Sequence, residues 1–196
     1  MAATSADAIL PCLQPPGWAD VRAALCEPLI GDSPRWNDAI DLPWVAYGID
    51  RPQAFEFFAA EPERLIELRA AARASLTALQ FALDRLDYDT FSVIDVHGSY
   101  FASESILDPG FMRTFEQRLG CDMLVVGIPC RGHAYITSGN QAESALRRFV
   151  GLTQRQHDAA AQPLFSTPVL VQRGEAIGLL RLASDDEFEG DESVLL

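Results

Sequence analysis

The sequence predicts an α+β fold: a mixed, mostly antiparallel sheet with helices packed on it and the hairpin of residues 122–138 at its centre. Three observations predict it. Met123 to Ile128 is apolar on both faces, as a strand covered on both sides requires. His133 to Thr137 alternates His133, Tyr135 and Thr137 with Ala134 and Ile136, a period-two arm that needs one apolar face. Between the arms, Gly132 tolerates positive φ and Pro129 sits where the first arm stops donating. The third observation is a helix from Pro62 to Leu83, where Leu65, Leu68, Ala72, Leu76, Leu79 and Leu83 recur every three or four residues as one apolar stripe.

The remaining elements follow in chain order. Residues 1–17 hold small side chains and the cluster Pro11, Pro15 and Pro16, which reads as a surface arm. Trp18 to Cys26 has a short helical spacing in Val21, Ala24 and Leu25 and is stopped by Pro28. Gly31 to Asn37 reads as a loop. Leu42 to Ile49 is a strand that ends at Asp50-Arg51-Pro52. Gln53 to Ala59, with Phe55, Phe57 and Phe58, is a helical turn or a buried aromatic loop before the long helix. Thr90 to Val96 is a second strand, and Gly98 to Ile106 its antiparallel return. Asp108-Pro109-Gly110 opens a helix that Gly120 ends. Gln141 to Ala160 is a helix burying Ala145, Leu146, Phe149, Val150 and Leu152, and Val169 to Gln172 with Ala176 to Leu182 is a last hairpin turned at Arg173-Gly174. The resulting division is an N-terminal arm and short helix over 1–41, an α+β domain over 42–183, and an acidic, loosely held tail over 184–196.

Composition limits the partners. The 196 residues carry a net charge of -13, and every one of the 15 basic residues is arginine. Such acidity disfavours nucleic acid and anionic membranes, whose binding depends on neutralising phosphates with cations. A basic protein surface is the favoured partner. Seven acids lie between Gly174 and Leu196 against Arg181 alone, so the tail carries much of the excess. Cys12, Cys26, Cys121 and Cys130 have neither zinc nor disulfide spacing, and no segment is apolar over a membrane's width, so a cytoplasmic protein with reduced thiols is expected.

The run Leu42-Pro43-Trp44-Val45-Ala46-Tyr47-Gly48-Ile49-Asp50, the helical Leu76-Thr77-Ala78-Leu79, the turn Gly98-Ser99-Tyr100-Phe101-Ala102-Ser103 and the stretch Val125 to Arg131 together resemble the YtpQ-like bacterial family. The resemblance covers about residues 42–182 and implies a compact α+β fold and no known reaction. In that family the Pro-x-Arg step is usually followed by an acidic residue. Gly132 departs from that pattern, which argues against an ion pair at this turn.

Two constellations carry possible chemistry. Cys130 with His133 and Arg131 places a thiol beside an imidazole and a guanidinium, the neighbours that activate a cysteine nucleophile. The structural alternative is a core-facing Cys130 beside solvated turn residues. Asp95, His97 and Ser99 alternate onto one strand face and are the residue types of a hydrolytic triad. Residues two apart on a strand are separated by about 6.6 Å, too far for a relay along one straight strand. A polar pocket shared between that strand end and the hairpin remains open. Arg131, Tyr100 and Tyr135 are candidate binding side chains. The three histidines, His97, His133 and His157, with scattered acids suggest neither metal nor cofactor.

The leading expectation is a non-enzymatic protein-binding or regulatory module. The alternatives are a small hydrolase or transferase using Cys130 and His133 or Asp95, His97 and Ser99, and a structural subunit of a larger assembly.

Overall fold

The computed structural model describes residues 8–31 and 42–182. They form ten strands and three helices in an α+β arrangement with two sheets, and every strand pairing is antiparallel. The smaller sheet holds β1 (Ile9–Gln14), β2 (Cys26–Pro28), β3 (Trp44–Asp50) and β4 (Phe55–Phe57), with β3 at its centre.

The larger sheet has the order β10-β9-β7-β8-β6-β5. Its strands are β5 (Ala82–Asp87), β6 (Ser92–His97), β7 (Leu124–Gly127), β8 (Ala134–Ser138), β9 (Val169–Gln172) and β10 (Glu175–Leu179). The hairpin β7-β8 is central, as expected. Every residue of both arms is buried, so the second arm is apolar-packed on both faces and not on one. Ala134 and Ile136 join the main core, while Tyr135 joins a second cluster with Val93, Val125 and Phe149 beneath α3 (Glu143–Ala159).

Five elements differ from the expected ones. The N-terminal segment is no surface arm: β1 lies along β3 over six residues, and Leu10 and Leu13 have no exposed surface. Pro11 is compatible with this strand because Leu13, two residues on, turns its backbone away from β3, and Pro11 shares that orientation, so its missing N–H faces away from the ladder. The helix α1 runs only from Leu65 to Thr77. Leu79 and Leu83 continue the stripe in sequence but belong to a connection and to β5, where Leu83 is exposed. A period of three or four and a period of two coincide over so short a run.

Phe55–Phe57 is a short strand and not a helical turn or loop, and Trp18 to Cys26 contains one 3-10 turn, Ala19–Arg22, in place of a longer helix. Gly98 to Ile106 is no strand: it turns into a 3-10 segment, Ser103–Leu107, and β6 has β5 and β8 as its antiparallel neighbours.

The helix α2 (Pro109–Leu119) begins where expected, the Asp108 carboxylate accepting the Gly110 and Phe111 amides at 2.9 and 3.1 Å, and ends at Gly120. No helix among the described residues is long and apolar enough to cross a membrane. The acidic tail over 184–196, most of the loop from Gly31 to Asn37 and the first seven residues of the chain lie outside the described residues.

Candidate functional site

The two constellations meet at one end of the larger sheet. Asp95 and His97 alternate onto the same face of β6, Asp95 opposite Tyr135 of β8 and Asp84 of β5. The turn after β7 carries Pro129 to His133. It closes against the loop after α3, with the Arg131 amide donating to the Gln162 carbonyl and the Leu164 amide to the Pro129 carbonyl. Gly132 adopts φ 81°, and a Cβ there would stand 3.3 Å from the Ser99 carbonyl oxygen. Glycine thus lets the hairpin end approach the turn that leaves β6.

The geometry redistributes the expected partners. His133 Nδ1 lies 3.1 Å from Asp95 Oδ1, and His97 Nε2 lies 2.9 Å from Asp84 Oδ2. The two imidazoles stack, with centroids 6.1 Å apart and planes 18° from parallel. Asp95, His97 and Ser99 are not joined as a relay: the Ser99 hydroxyl accepts the Phe101 amide at 3.2 Å within its own turn. Cys130 is half-buried and its backbone bridges Pro163. Burial, and then the Asp95 charge, push its thiol above the ordinary value, the reverse of an activated nucleophile. Burial and Asp95 likewise raise the Tyr135 phenol. Of five clefts on the described residues one is lined in part by Asp84, and none by Asp95, His97, Cys130 or His133. Side-chain exposure rises from 15% at Asp95 through 29% at His97 and 41% at His133 to 69% at Asp84, so this end is a polar sheet face that opens to solvent toward its edge.

Arg131 points the other way, into the protein. Its guanidinium lies 5.3 Å from the centroid of the half-exposed Tyr100 ring and pairs with Glu104, whose side chain has no exposed surface. The Glu104 carboxylate also accepts the Leu13 amide at 2.9 Å and the Ser103 hydroxyl at 2.6 Å, while Arg131 donates to the Leu13 carbonyl. The outer edge of β1 is thus stitched to the larger sheet through a buried ion pair, so the turn does make one despite Gly132. Burial pushes the Glu104 carboxyl up, with Arg131 and the two other donors pulling against it. Burial works to lower Arg131, but the neighbouring carboxylate holds it above the usual guanidinium value.

Glu104 is the side chain that sequence reasoning missed. Its signal was an acid set among the apolar and small residues of Tyr100 to Leu107, where a charge has to be paired if it is buried. A second group lines a cleft of about 310 Å³ between α1 and the smaller sheet, where Glu27 accepts Arg69 Nε at 2.8 Å and the Tyr47 hydroxyl.

Among the described residues no three His, Cys, Asp or Glu side chains are grouped to hold a metal ion, and His157 pairs with its neighbour Asp158 at 3.1 Å. What the sheet end offers is two imidazole–carboxylate pairs side by side. No protein-family model, no curated protein and no solved structure matches the chain.

Proposed function

We propose that the chain is a protein-binding module that recognises a basic surface through the open sheet face of Asp84, Asp95, His97 and His133. The observation that carries this reading is the pairing of both histidines with carboxylates on an exposed face, beside a thiol whose ionisation is suppressed. Carboxylates held in place by imidazoles present oriented acceptors to arginine or lysine. The experiment is fluorescence anisotropy with arginine-rich and glutamate-rich peptides. The basic peptides bind in a salt-sensitive way and Asp95→Asn weakens them several-fold, as expected for a hydrogen bond to a charged group. Equal binding of both peptide classes, or no effect of Asp95→Asn, overturns the reading.

The second reading, a hydrolase or transferase using Cys130, is favoured by the Asp95–His133 contact, which is the base-and-orienter half of a thiol triad. It requires fast alkylation of Cys130 at neutral pH that slows when His133 is replaced. On the first reading Cys130 alkylates slowly, and Asp95→Asn speeds the reaction by removing the charge that opposes the thiolate.

A further inference from the structure

The larger sheet ends in two unlike edges. β10 is broken by a bulge between Ala176 and Gly178, a feature that blunts an edge against further pairing. β5 has no bulge: its residues pair one to one with β6, and all but Leu86 are exposed. Antiparallel bonding alternates along a strand, and the Tyr88 amide donates to the Phe91 carbonyl at 2.9 Å, so Leu86 and Asp84 bond inward to β6. The backbone groups of Leu83, Arg85 and Asp87 therefore point away from the sheet, and none of their outward bonds is made among the described residues. Two apolar side chains, Leu83 and Tyr88, are exposed along the same edge.

We propose that this edge pairs with β5 of a second copy of the chain, antiparallel, about a two-fold axis at Leu86, so that two larger sheets become one. Outward backbone groups have to meet outward groups, so the axis passes through a residue and not between two. Three such axes keep five or more residues of the stretch 82–88 in the pairing. An axis at Arg85 sets the guanidinium against its own copy and Leu83 against Asp87. An axis at Asp84 sets that carboxylate against itself. The axis at Leu86 sets Leu86 against Leu86, Arg85 against Asp87 of the second copy, and Asp84 against Tyr88 of the second copy. Charges on an edge strand ordinarily discourage partners; here their alternating sign selects one register and rejects its neighbours.

The charges are already ordered for it. Arg85 Nε lies 2.7 Å from Asp87 Oδ1, and the Ser92 hydroxyl bridges them, accepting from Arg85 at 3.0 Å and donating to Asp87 at 2.6 Å. Pairing turns two such couples into a ring of four alternating charges, and the two-fold closes the assembly at two copies. Of the face proposed for recognition only Asp84 lies in the paired stretch; Arg85 and Asp87 alternate onto the opposite face of β5 and Asp95, His97 and His133 take no part, so the Arg85 and Asp87 variants test the pairing separately from recognition through Asp95.

The experiment uses sedimentation velocity over a concentration series and native mass spectrometry on the full chain, with Arg85→Asp and Asp87→Arg. Arg85→Asp gives the edge acids alone and Asp87→Arg gives it arginines at both places, so each variant repels itself and complements the other. The unsubstituted chain dimerises, each variant alone weakens the dimer about tenfold or more, and the equimolar mixture recovers a heterodimer. Hydrogen exchange at the Arg85 and Asp87 amides slows with concentration. A chain that stays monomeric, variants that dimerise as well as the unsubstituted chain, or a mixture without heterodimer overturns the proposal.

Discussion

Glu104 accepts from Leu13, Ser103 and Arg131 with no exposed surface, which makes it the most constrained charge described in the protein. Removing one member of a buried pair strands the other, and the two members differ in how they respond. Glu104→Gln leaves a guanidinium that stays charged, and its expected cost is about 3–5 kcal/mol in urea unfolding. Arg131→Met leaves a carboxyl already pushed up by burial, which takes up a proton instead. A carboxyl raised in the folded state contributes stability that is present below its unfolded value and lost as pH rises, so the Arg131→Met deficit shrinks on acidification. The Glu104→Gln deficit does not, and unfolding at several pH values separates the two. Cys12, held 2% exposed beside Gln14, gives a second pH effect. Burial pushes its thiol from 9.0 up to about 12. Its contribution is complete below pH 9 and is lost as pH rises toward 12, by up to about 4 kcal/mol. In Cys12→Ala that alkaline decline is shallower.

At the scale of elements, periodicity was legible where one face decides and misleading where two periods overlap. The central hairpin and α2 follow directly from a doubly apolar run and an Asp-Pro-Gly start. The end of α1 does not, because Leu79 and Leu83 fit the helical stripe and only the pairing of Leu83 with Val96 places it in a strand. β1 was hidden for a related reason: Pro11 within it and Pro15 and Pro16 just after it read as breaks, and the partner that makes Pro11 acceptable, β3, lies far along the chain. The same long-range dependence hid Glu104, whose partners Leu13 and Arg131 are 91 and 27 residues away. Gly127, by contrast, stands out in the sequence as the one residue of the doubly apolar first arm without a side chain, and the structure supplies its reason: a Cβ there would meet Thr153 Oγ1 of α3 at 2.6 Å. Gly127→Ala therefore forces α3 off the sheet, with an expected cost of about 1–3 kcal/mol. Thr153→Ala removes the obstructing atoms, so the double variant recovers most of that loss in a double-mutant cycle. Simple additivity would mean that α3 does not rest on Gly127.

Across the whole molecule the two sheets do not have separate interiors. Leu13, Val45 and Tyr47 of the smaller sheet lie in the same core cluster as Val96, Val126, Ile136 and Val171 of the larger one and Met112 and Phe115 of α2. The Leu13 backbone is also the atom pair on which Glu104 and Arg131 converge. Loss of either sheet would expose the apolar face of the other and strand a buried charge pair, two costs that together exceed what a partly folded state retains. Unfolding is accordingly expected to be a single cooperative transition. Trp18 and Trp44 report the smaller sheet, Trp18 by packing on Phe57 at 4.9 Å between ring centroids, whereas far-UV circular dichroism is weighted toward the larger sheet and the helices. In a Trp36→Phe background the fluorescence and dichroism curves should coincide in urea. Leu13→Ala should move both midpoints together, with a loss of about 2–5 kcal/mol for a large buried side chain. Fluorescence that unfolds first, leaving dichroism in place, would mean that the smaller sheet is a separable layer and that the Glu104–Arg131 stitch does not couple the two.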